Sequence, residues 1–401
     1  MNNFNFEQNI FASGLPLIKL AFDTSDLFLN LDKLFLQHMR KLSIVACALI
    51  CTSSMCYGQE RPTIDFEKYD PPSSLVVPEH KLTRAKFPFI DVHNHQNGLS
   101  SGNLRDLLHD MDALNMKVMV NLSGGNGSRL KAQTDNVKDK APNRFIIFAN
   151  IDFSGIGEEG WTEKAVRQLT EDVKNGANGL KVFKNLGLSV RDNSGKRVAV
   201  DDPRLDAIWD QCGKLKIPVL IHAADPKQFW QPADYNNERW LELITHPGRK
   251  RSNTDPAPWE QIIEEEHRMF KKHPGTTFIN AHFGWYASDL AHLSQLMEEI
   301  PNMYVEFGAV IAEIGRQPRA ARQFFEKYQN RILFGKDSWQ PEEYTTYFRV
   351  LETADEYFPY HKKYHAFWRM YGMALPDDIL KKVYYQNALR IIPGIDKRLF
   401  E

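Results

Sequence analysis

The sequence is poor in cysteine. Only four of its 401 residues are cysteines, and Cys47, Cys51 and Cys56 lie together in an apolar segment near the N-terminus. Zinc-binding cysteine motifs require a second Cys or His pair close by, and none follows here. If that segment is removed from the mature chain, Cys212 stays alone, which excludes an internal disulfide and leaves stability to the hydrophobic core.

The chain also lacks an excess of either charge. It has 50 basic and 51 acidic residues and a formal net charge of −1. Without a basic run, nothing indicates a nucleic-acid partner. The composition, 42% hydrophobic and 12% aromatic, is typical of a globular protein. We therefore expect a small-molecule substrate as the partner, and the sequence leaves homo-oligomer formation open.

No apolar run is long enough to span a bilayer, which excludes an integral membrane segment. Residues 39–58 start with Met39, Arg40 and Lys41, continue with a short apolar stretch at 42–51 and end in small and polar residues. This order is typical of a secretory signal peptide. We expect cleavage after Gly58 and export, with the periplasm as the destination. Residues 1–38 would then be an upstream extension. An internal buried helix, or a lipid anchor at one of the cysteines, is the alternative.

Beyond this segment the sequence predicts an arm and one large domain. Residues 59–86 are polar and contain four prolines, which favours an extended arm. Residues 87–395 alternate apolar strands with amphipathic helices, and nearly continuous apolar runs such as 145–149 are typical of parallel strands buried on both faces. Strands are predicted at 87–92, 117–121, 145–151, 179–183, 217–222, 276–282, 303–307 and 331–335. Helices are predicted at 104–114, 161–174, 203–214, 259–271, 288–299 and 319–328. Eight strands with intervening helices predict an α/β fold, the (β/α)8 TIM barrel.

Two stretches interrupt the alternation. Residues 224–258 contain tryptophans and several prolines, and residues 340–375 are rich in aromatic side chains. Each follows a predicted strand, so a barrel would place its start at the C-terminal face, as a loop insertion. We interpret both as lids or substrate walls. Packing on the barrel exterior or at a subunit interface is the alternative.

Histidines and one aspartate mark the ends of the predicted strands. His93 and His95 lie two apart at the end of the first strand, where side chains point to the same side. His222, His282 and Asp337 each end a later strand. Imidazole suits zinc and its first-row neighbours. Any one of these residues alone could be a satisfied core histidine or a helix-capping aspartate, but the set together predicts a metal site at the barrel mouth.

These residues, in this order, resemble the amidohydrolase superfamily. The likeness is to the amidohydrolase-related ("amidohydrolase 2") group of metal-dependent hydrolases and non-oxidative decarboxylases, over about residues 87–393. The resemblance implies that His93, His95 and His222 bind one divalent metal. It also implies that Asp337 binds the metal and transfers protons, and that His282 orients or polarises the substrate. Zinc is the expected metal, with manganese as the alternative.

The expected activity is hydrolysis of an amide, lactone or ester carbonyl by a metal-activated water. Non-oxidative decarboxylation of an aromatic or unsaturated acid is the alternative reading. A third reading is a binding protein that retains the metal without turnover, and the presence of Asp337 argues against it.

Four further residues are candidates for substrate binding. Lys181 and Lys184 flank the end of the fourth strand and would bind a substrate carboxylate as point charges. The alternative for these lysines is a structural role or a bridge between two metals. Trp285 and Trp339 follow His282 and Asp337 closely and are predicted pocket walls. Asp91 either orients a metal-binding histidine or packs within the barrel.

Overall fold

A computed structural model of the chain describes residues 63–65 and 68–401. The predicted upstream extension, residues 1–38, and the predicted signal peptide, residues 39–58, lie outside the described residues. The chain divides into two units, Met1–Tyr69 and Asp70–Glu401. The few described residues of the first unit contain neither helix nor strand. None of the helices in the described part combines the length and hydrophobicity needed to cross a membrane.

The second unit contains eight parallel strands that pair in sequence order from β1 to β8. Backbone hydrogen bonds from Val92 N to Phe334 O (2.9 Å) and from Asp337 N to His93 O (2.7 Å) join the last strand to the first. The predicted (β/α)8 TIM barrel is therefore confirmed. The strands are β1 (Phe89–Asn94), β2 (Met116–Asn121), β3 (Phe145–Asn150), β4 (Gly179–Val182), β5 (Val219–Ile221), β6 (Phe278–Asn280), β7 (Met303–Glu306) and β8 (Ile332–Leu333).

Alternation along the strands divides the apolar side chains between two clusters. One cluster fills the barrel interior, with Ile90, Val118, Phe148 and Leu220 among its members. The other lies between the barrel and the surrounding helices and includes Phe89. Because side chains on a strand alternate in direction, this division explains why the strands read as nearly continuous apolar runs.

Helices cover the outside of the barrel. The longer ones are α1 (Arg105–Leu114), α2 (Gly127–Lys140), α3 (Trp161–Lys174), α4 (Asp206–Leu215), α5 (Trp240–Thr245), α6 (Trp259–Lys272), α7 (Leu290–Glu299), α8 (Ile311–Gly315), α9 (Pro318–Tyr328) and α10 (Tyr344–Glu352). The chain ends with Asp377–Lys381, a π-helical turn at Lys382–Gln386, and Asn387–Ile391. All six predicted helices are present. The sequence pattern missed α2, whose buried stripe is narrow and includes the polar Gln133.

The two insertions differ in how they pack. Residues 224–258 contain short helical segments at Lys227–Phe229, Trp240–Thr245 and Pro247–Arg249. In residues 340–375, α10 packs Tyr344 and Phe348 against Phe89 on the barrel exterior. A two-stranded antiparallel sheet, Phe358–Pro359 with Arg369–Met370, follows. The exterior-packing interpretation thus holds for the start of this insertion, whereas its later residues line a cavity described below.

Residues 70–88 contain neither helix nor strand. This segment contacts the rest of the unit where the backbone N–H of His80 donates to Asp355 Oδ2 at 2.8 Å. The assignment of residues 59–86 as an arm stays a prediction.

Candidate active site

A bulge in β1 directs His93 toward the other strand ends. Asp91 pairs with Met119 and Asn94 with Asn121, so β1 carries one residue more than β2 over this interval. Bulges of this kind redirect side chains next to active sites. Val92 accordingly packs in the barrel interior, and the next residue, His93, also meets side chains at the ends of other strands.

The ring of His93 is held by Glu306 on β7. His93 Nδ1 lies 2.8 Å from Glu306 Oε1, and both side chains are fully buried. Burial opposes ionisation of Glu306, but the contacts with His93 and His282 hold its pKa at about 2. Because an ionised carboxylate only accepts hydrogen bonds, Nδ1 of His93 donates and Nε2 keeps a lone pair. That Nε2 is buried without a hydrogen-bond partner among the described residues.

His282 and His222 form a second chain of contacts. His282 Nδ1 lies 2.6 Å from the carbonyl oxygen of Gly308, which can only accept. His282 Nε2 therefore accepts from His222 Nδ1 at 3.3 Å. This leaves a lone pair on His222 Nε2, which is also buried and without a partner in the described part of the chain. Burial lowers the pKa of both rings, so both are neutral near pH 7.

Asp337 lies between the histidines of β1. Its Oδ1 is 3.4 Å from His93 Nε2 and 3.5 Å from His95 Nε2. His95 Nδ1 is fixed by Ser123 Oγ at 2.9 Å. Burial alone would raise the pKa of Asp337, but His93 and His95 hold it well below its usual value. With its side chain 36% exposed, Asp337 presents an ionised carboxylate to the cavity.

Three of these residues could hold a divalent metal. His93, His282 and Asp337 offer ligand atoms that all lie within 4.8 Å of one another. The predicted set contains His95 and His222 in place of His282. The Nε2 lone pair of His93, which is buried and has no hydrogen-bond partner among the described residues, is a group that a metal would satisfy, because a buried acceptor without a partner is destabilising. An imidazole and carboxylate donor set suits zinc and its first-row neighbours.

Backbone strain marks two of these residues. His282, Phe283, Gly284 and Trp285 all have φ between 55° and 64°, and Asp337 has φ 84°. Left-handed backbone costs about 1–2 kcal/mol per non-glycine residue, and such strain is concentrated at functional sites. At Gly284 a Cβ would lie 2.6 Å from Asn280 Nδ2, so the turn that follows β6 needs glycine there.

Glu306 is the residue whose role the sequence concealed. Besides His93, it accepts from the backbone N–H groups of His282 at 2.9 Å and Gly308 at 2.6 Å. One buried carboxylate thus orients the ring of one histidine and the backbone of another. The only signal in the sequence was its place at the end of β7.

Asp91 forms hydrogen bonds with backbone N–H groups and with side chains, including one on the barrel exterior, rather than with a histidine ring. Its carboxylate accepts from the backbone N–H of His93 (3.0 Å) and Lys336 (3.1 Å). It also accepts from the hydroxyl of Tyr344 (2.6 Å) and from Asn94 Nδ2 (2.9 Å). Burial raises the pKa of Asp91 to about 6. Asp91 therefore ties the ends of β1 and β8 together beneath the site.

The predicted substrate-binding residues separate into two pairs. Trp285 stacks on the ring of His282, with centroids 4.6 Å apart, and Lys184 pairs with Asp225; both line the cavity beside Asp337. Lys181 is buried in the barrel, its Nζ has no partner among the described residues, and burial lowers its pKa to about 8. Trp339 is not among the described residues that line the cavity; its ring lies against Tyr344 instead.

The cavity above these strand ends has a volume of about 290 Å³. His222, His282 and Asp337 form its floor, and both insertions contribute walls. Placement of the insertions at the C-terminal face is therefore confirmed. The arrangement can position a small molecule against a carboxylate and a cluster of imidazoles.

Comparison with protein families gives one match, to the model described as Amidohydrolase, over residues 123–394. The match begins after β1, so His93 and His95 lie outside it. No curated protein matches the chain.

Several solved structures are similar to the chain at low sequence identity. A putative amidohydrolase from Staphylococcus aureus is 14% identical, with a TM-score of 0.48, covering 76% of this chain and 99% of that one. A dihydroxybenzoic acid decarboxylase from Polaromonas sp. JS666, with bound manganese, is 15% identical, with a TM-score of 0.48, covering 78% and 97%. An uncharacterised TIM-barrel protein from Bordetella bronchiseptica is 17% identical, with a TM-score of 0.46, covering 72% and 82%. Similarity at this level carries no information on the reaction.

Proposed function

The chain belongs to the amidohydrolase family, and on that premise we propose that it is a metal-dependent hydrolase of amide, lactone or ester carbonyls. The observation that carries the proposal is the cluster of His93, His282 and Asp337, whose possible ligand atoms all lie within 4.8 Å of one another. His93 presents a buried lone pair without a hydrogen-bond partner among the described residues, and Asp337 presents a partly exposed, ionised carboxylate.

In this proposal His93, His95, His222 and Asp337 hold one divalent metal, zinc in first place and manganese as the alternative. When bound, the metal supplies a Lewis acid that polarises the carbonyl and lowers the pKa of a water molecule toward about 7. Glu306 keeps the ring of His93 in the tautomer that leaves Nε2 free. Carboxylate partners of this kind typically strengthen metal affinity.

Asp337 carries the proton. Its carboxylate is ionised at neutral pH, so it accepts the proton of the attacking water and then returns it to the leaving nitrogen or oxygen. His282 has a lone pair on Nε2 in the neutral ring, because Nδ1 donates to Gly308 O. The predicted polarisation of substrate by His282 requires a proton on this Nε2, which the neutral ring that accepts from His222 Nδ1 does not carry. Trp285 covers one face of that ring and restricts the access of water.

Oxygen-18 water distinguishes hydrolysis from decarboxylation. A panel of amides, lactones and esters is offered to the metal-loaded protein, and the acid formed should contain one labelled oxygen per turnover. Asp337→Asn should lower kcat by about 100-fold or more, since proton transfer typically contributes 10²–10⁴-fold. Asp135→Asn, at a 63% exposed position on α2, is the matched control and should keep wild-type activity.

Two results would contradict the proposal. Release of carbon dioxide from an acid, without oxygen incorporation, would identify a decarboxylase. Absence of turnover throughout the panel, despite bound metal, would favour a binding protein.

We also propose export to the periplasm, which rests on the pattern of residues 39–58 alone. N-terminal sequencing of the native protein should find a mature chain that starts at Gln59. A mature chain that retains residues 1–38 would refute the export signal.

A further inference from the structure

The cavity beside Asp337 has a wall that is made by the two insertions. We call this wall, formed by Arg239, Arg249, Lys362 and His365, the insertion wall. Arg239 and Arg249 belong to residues 224–258, and the other two belong to residues 340–375. None of the predicted metal ligands comes from these segments, so the insertion wall adds cationic and hydrogen-bonding groups that the metal site does not have.

Carboxylates along this wall are each shared by two cations. Glu242 accepts from Arg239 and Arg249, and Glu343 accepts from Lys336 and Lys362. Arg239 has one further partner, Glu313, and Asp225 is in turn shared by Lys184 and Arg251. Among the described residues that line the cavity, five cations (Lys184, Arg239, Arg249, Lys336 and Lys362) face four carboxylates (Asp225, Glu242, Asp337 and Glu343), which leaves the cavity with an excess of one positive charge.

The cations of each pair differ in what they can still bind. Arg239 and Lys336 are buried, with side chains 5% and 1% exposed, and complete the internal ion pairs. Arg249 and Lys362 are 40% and 30% exposed and line the cavity. Arg249 uses one terminal nitrogen on Glu242, and a guanidinium has five N–H donors in a planar fork that matches a carboxylate. Within the insertion wall, Arg249 and Lys362 are therefore the cations that can reach a ligand.

His365 supplies an unsatisfied group at the same place. Its Nε2 is enclosed and has no hydrogen-bond partner among the described residues. Burial, and then the charges of Arg239 and Arg249, lower the pKa of His365 well below its usual value. The ring is thus neutral between cations, and an anion seated among them would both accept from an N–H of His365 and offset their charge.

We propose that the insertion wall binds a carboxylate of the substrate through Arg249, Lys362 and His365. The substrate is then a compact acid whose carboxylate is separate from the carbonyl that reacts at Asp337. This inference rests on the proposed function, since it names the substrate class of the same site. Hydrolysis of a substrate that carries both groups on its acyl fragment would give a dicarboxylate, with the new carboxylate beside Asp337 and the original one at the insertion wall.

Because each carboxylate is shared by two cations, one cation can be replaced without leaving the carboxylate unpaired. Removal of Arg249 leaves Glu242 paired with Arg239, and removal of Lys362 leaves Glu343 paired with Lys336. Neither variant strands a buried carboxylate, so Arg249→Gln and Lys362→Met should fold. Arg268→Gln is the matched control, because Arg268 lies on α6 in a partly exposed ion pair with Asp201, away from the cavity.

Binding of glutarate and of pentanoate is measured by calorimetry on the metal-loaded protein. The two probes have the same chain length and differ by one carboxylate. The wild-type protein should prefer glutarate by about tenfold or more, as expected for one charge-assisted, bidentate contact. Arg249→Gln and Lys362→Met should each reduce this preference to within about threefold, whereas Arg268→Gln should keep it.

Chelator-treated protein separates this inference from the proposed function. Without metal, pentanoate binding should be lost, while residual glutarate binding should still depend on Arg249. Equal affinity of the wild-type protein for both probes would overturn the inference, as would a preference that survives in both variants. Because these measurements need no turnover, they hold whether or not the protein proves to be a hydrolase.

Discussion

Replacement of Glu306 by Gln tests whether one buried carboxylate prepares His93 for a metal. Glu306 accepts three hydrogen bonds, from His93 Nδ1 and from the backbone N–H groups of His282 and Gly308. Glutamine has one accepting oxygen and one donating nitrogen in place of two accepting oxygens. At least one of the three donors must then face an N–H group.

The expected effect follows from these contacts. A hydrogen bond to a charged group is worth about 1.5–3 kcal/mol, and about 1.4 kcal/mol corresponds to a factor of ten in affinity. Loss of the charge-assisted contact to His93, which is 2.8 Å long and fully buried, should therefore weaken metal binding by about 10–100-fold. That range agrees with the usual effect of changing a residue that supports a metal ligand.

Metal affinity is measured by competition with a chromogenic chelator, and folding is followed by circular dichroism. Glu265→Gln is the control, because Glu265 is equally buried and ion-paired but binds Arg197 and the backbone of Val200 on the barrel exterior. Both variants should lose stability, and only Glu306→Gln should lose metal affinity. Metal affinity within about twofold of wild type in a folded Glu306→Gln protein would refute the argument that this carboxylate orients His93.

Three further predictions follow from burial, hydrogen bonding and linkage. Glu266 is fully buried on α6, and burial raises its pKa to about 8. Because the folded state keeps the proton that the unfolded state loses, the contribution of Glu266 to stability falls as pH rises from about 4.5 to 8. Glu266→Gln should therefore gain stability relative to wild type across this window in urea unfolding, by at most ~5 kcal/mol, and a pH-independent difference would contradict it. Tyr344→Phe removes the hydroxyl that donates to Asp91 and should destabilise the fold by about 1–3 kcal/mol. The loss should be larger above pH 6 than below, since the pKa of Asp91 is about 6. Equal loss of stability at pH 5 and pH 8 would count against this prediction. Removal of metal by a chelator should lower Tm, and added zinc should restore it. A ligand at 100 times its Kd adds about 2.7 kcal/mol to the free energy of unfolding. An unchanged Tm would argue against a metal that binds the folded site.

Much of the fold could be predicted from local sequence. Apolar runs such as Phe145–Asn150 are typical of strands buried on both faces, and the alternation of eight such strands with amphipathic helices favours a parallel barrel. The ends of those strands share one face, so His222, His282 and Asp337 could be expected to meet. The two insertions could be placed at the same face because each follows a strand.

Other features depend on contacts between residues distant in sequence. The bulge in β1 turns His93 toward the site, although strict alternation from Ile90 would have predicted another direction. Trp339 follows Asp337 by two residues in sequence, but its ring lies against Tyr344, and the backbone at Asp337 is left-handed.

Residue type and spacing along the chain thus determined which side chains reach the mouth of the barrel. Tertiary structure decided what each of them can do there. Glu306 selects the tautomer of His93 from 213 positions away, Gly308 does the same for His282, and the shared carboxylates leave Arg249 and Lys362 as the cations of the insertion wall that are open to a ligand. The physical reason is that proton positions and net charge in a buried site are set by neighbours in space, which strand periodicity does not encode.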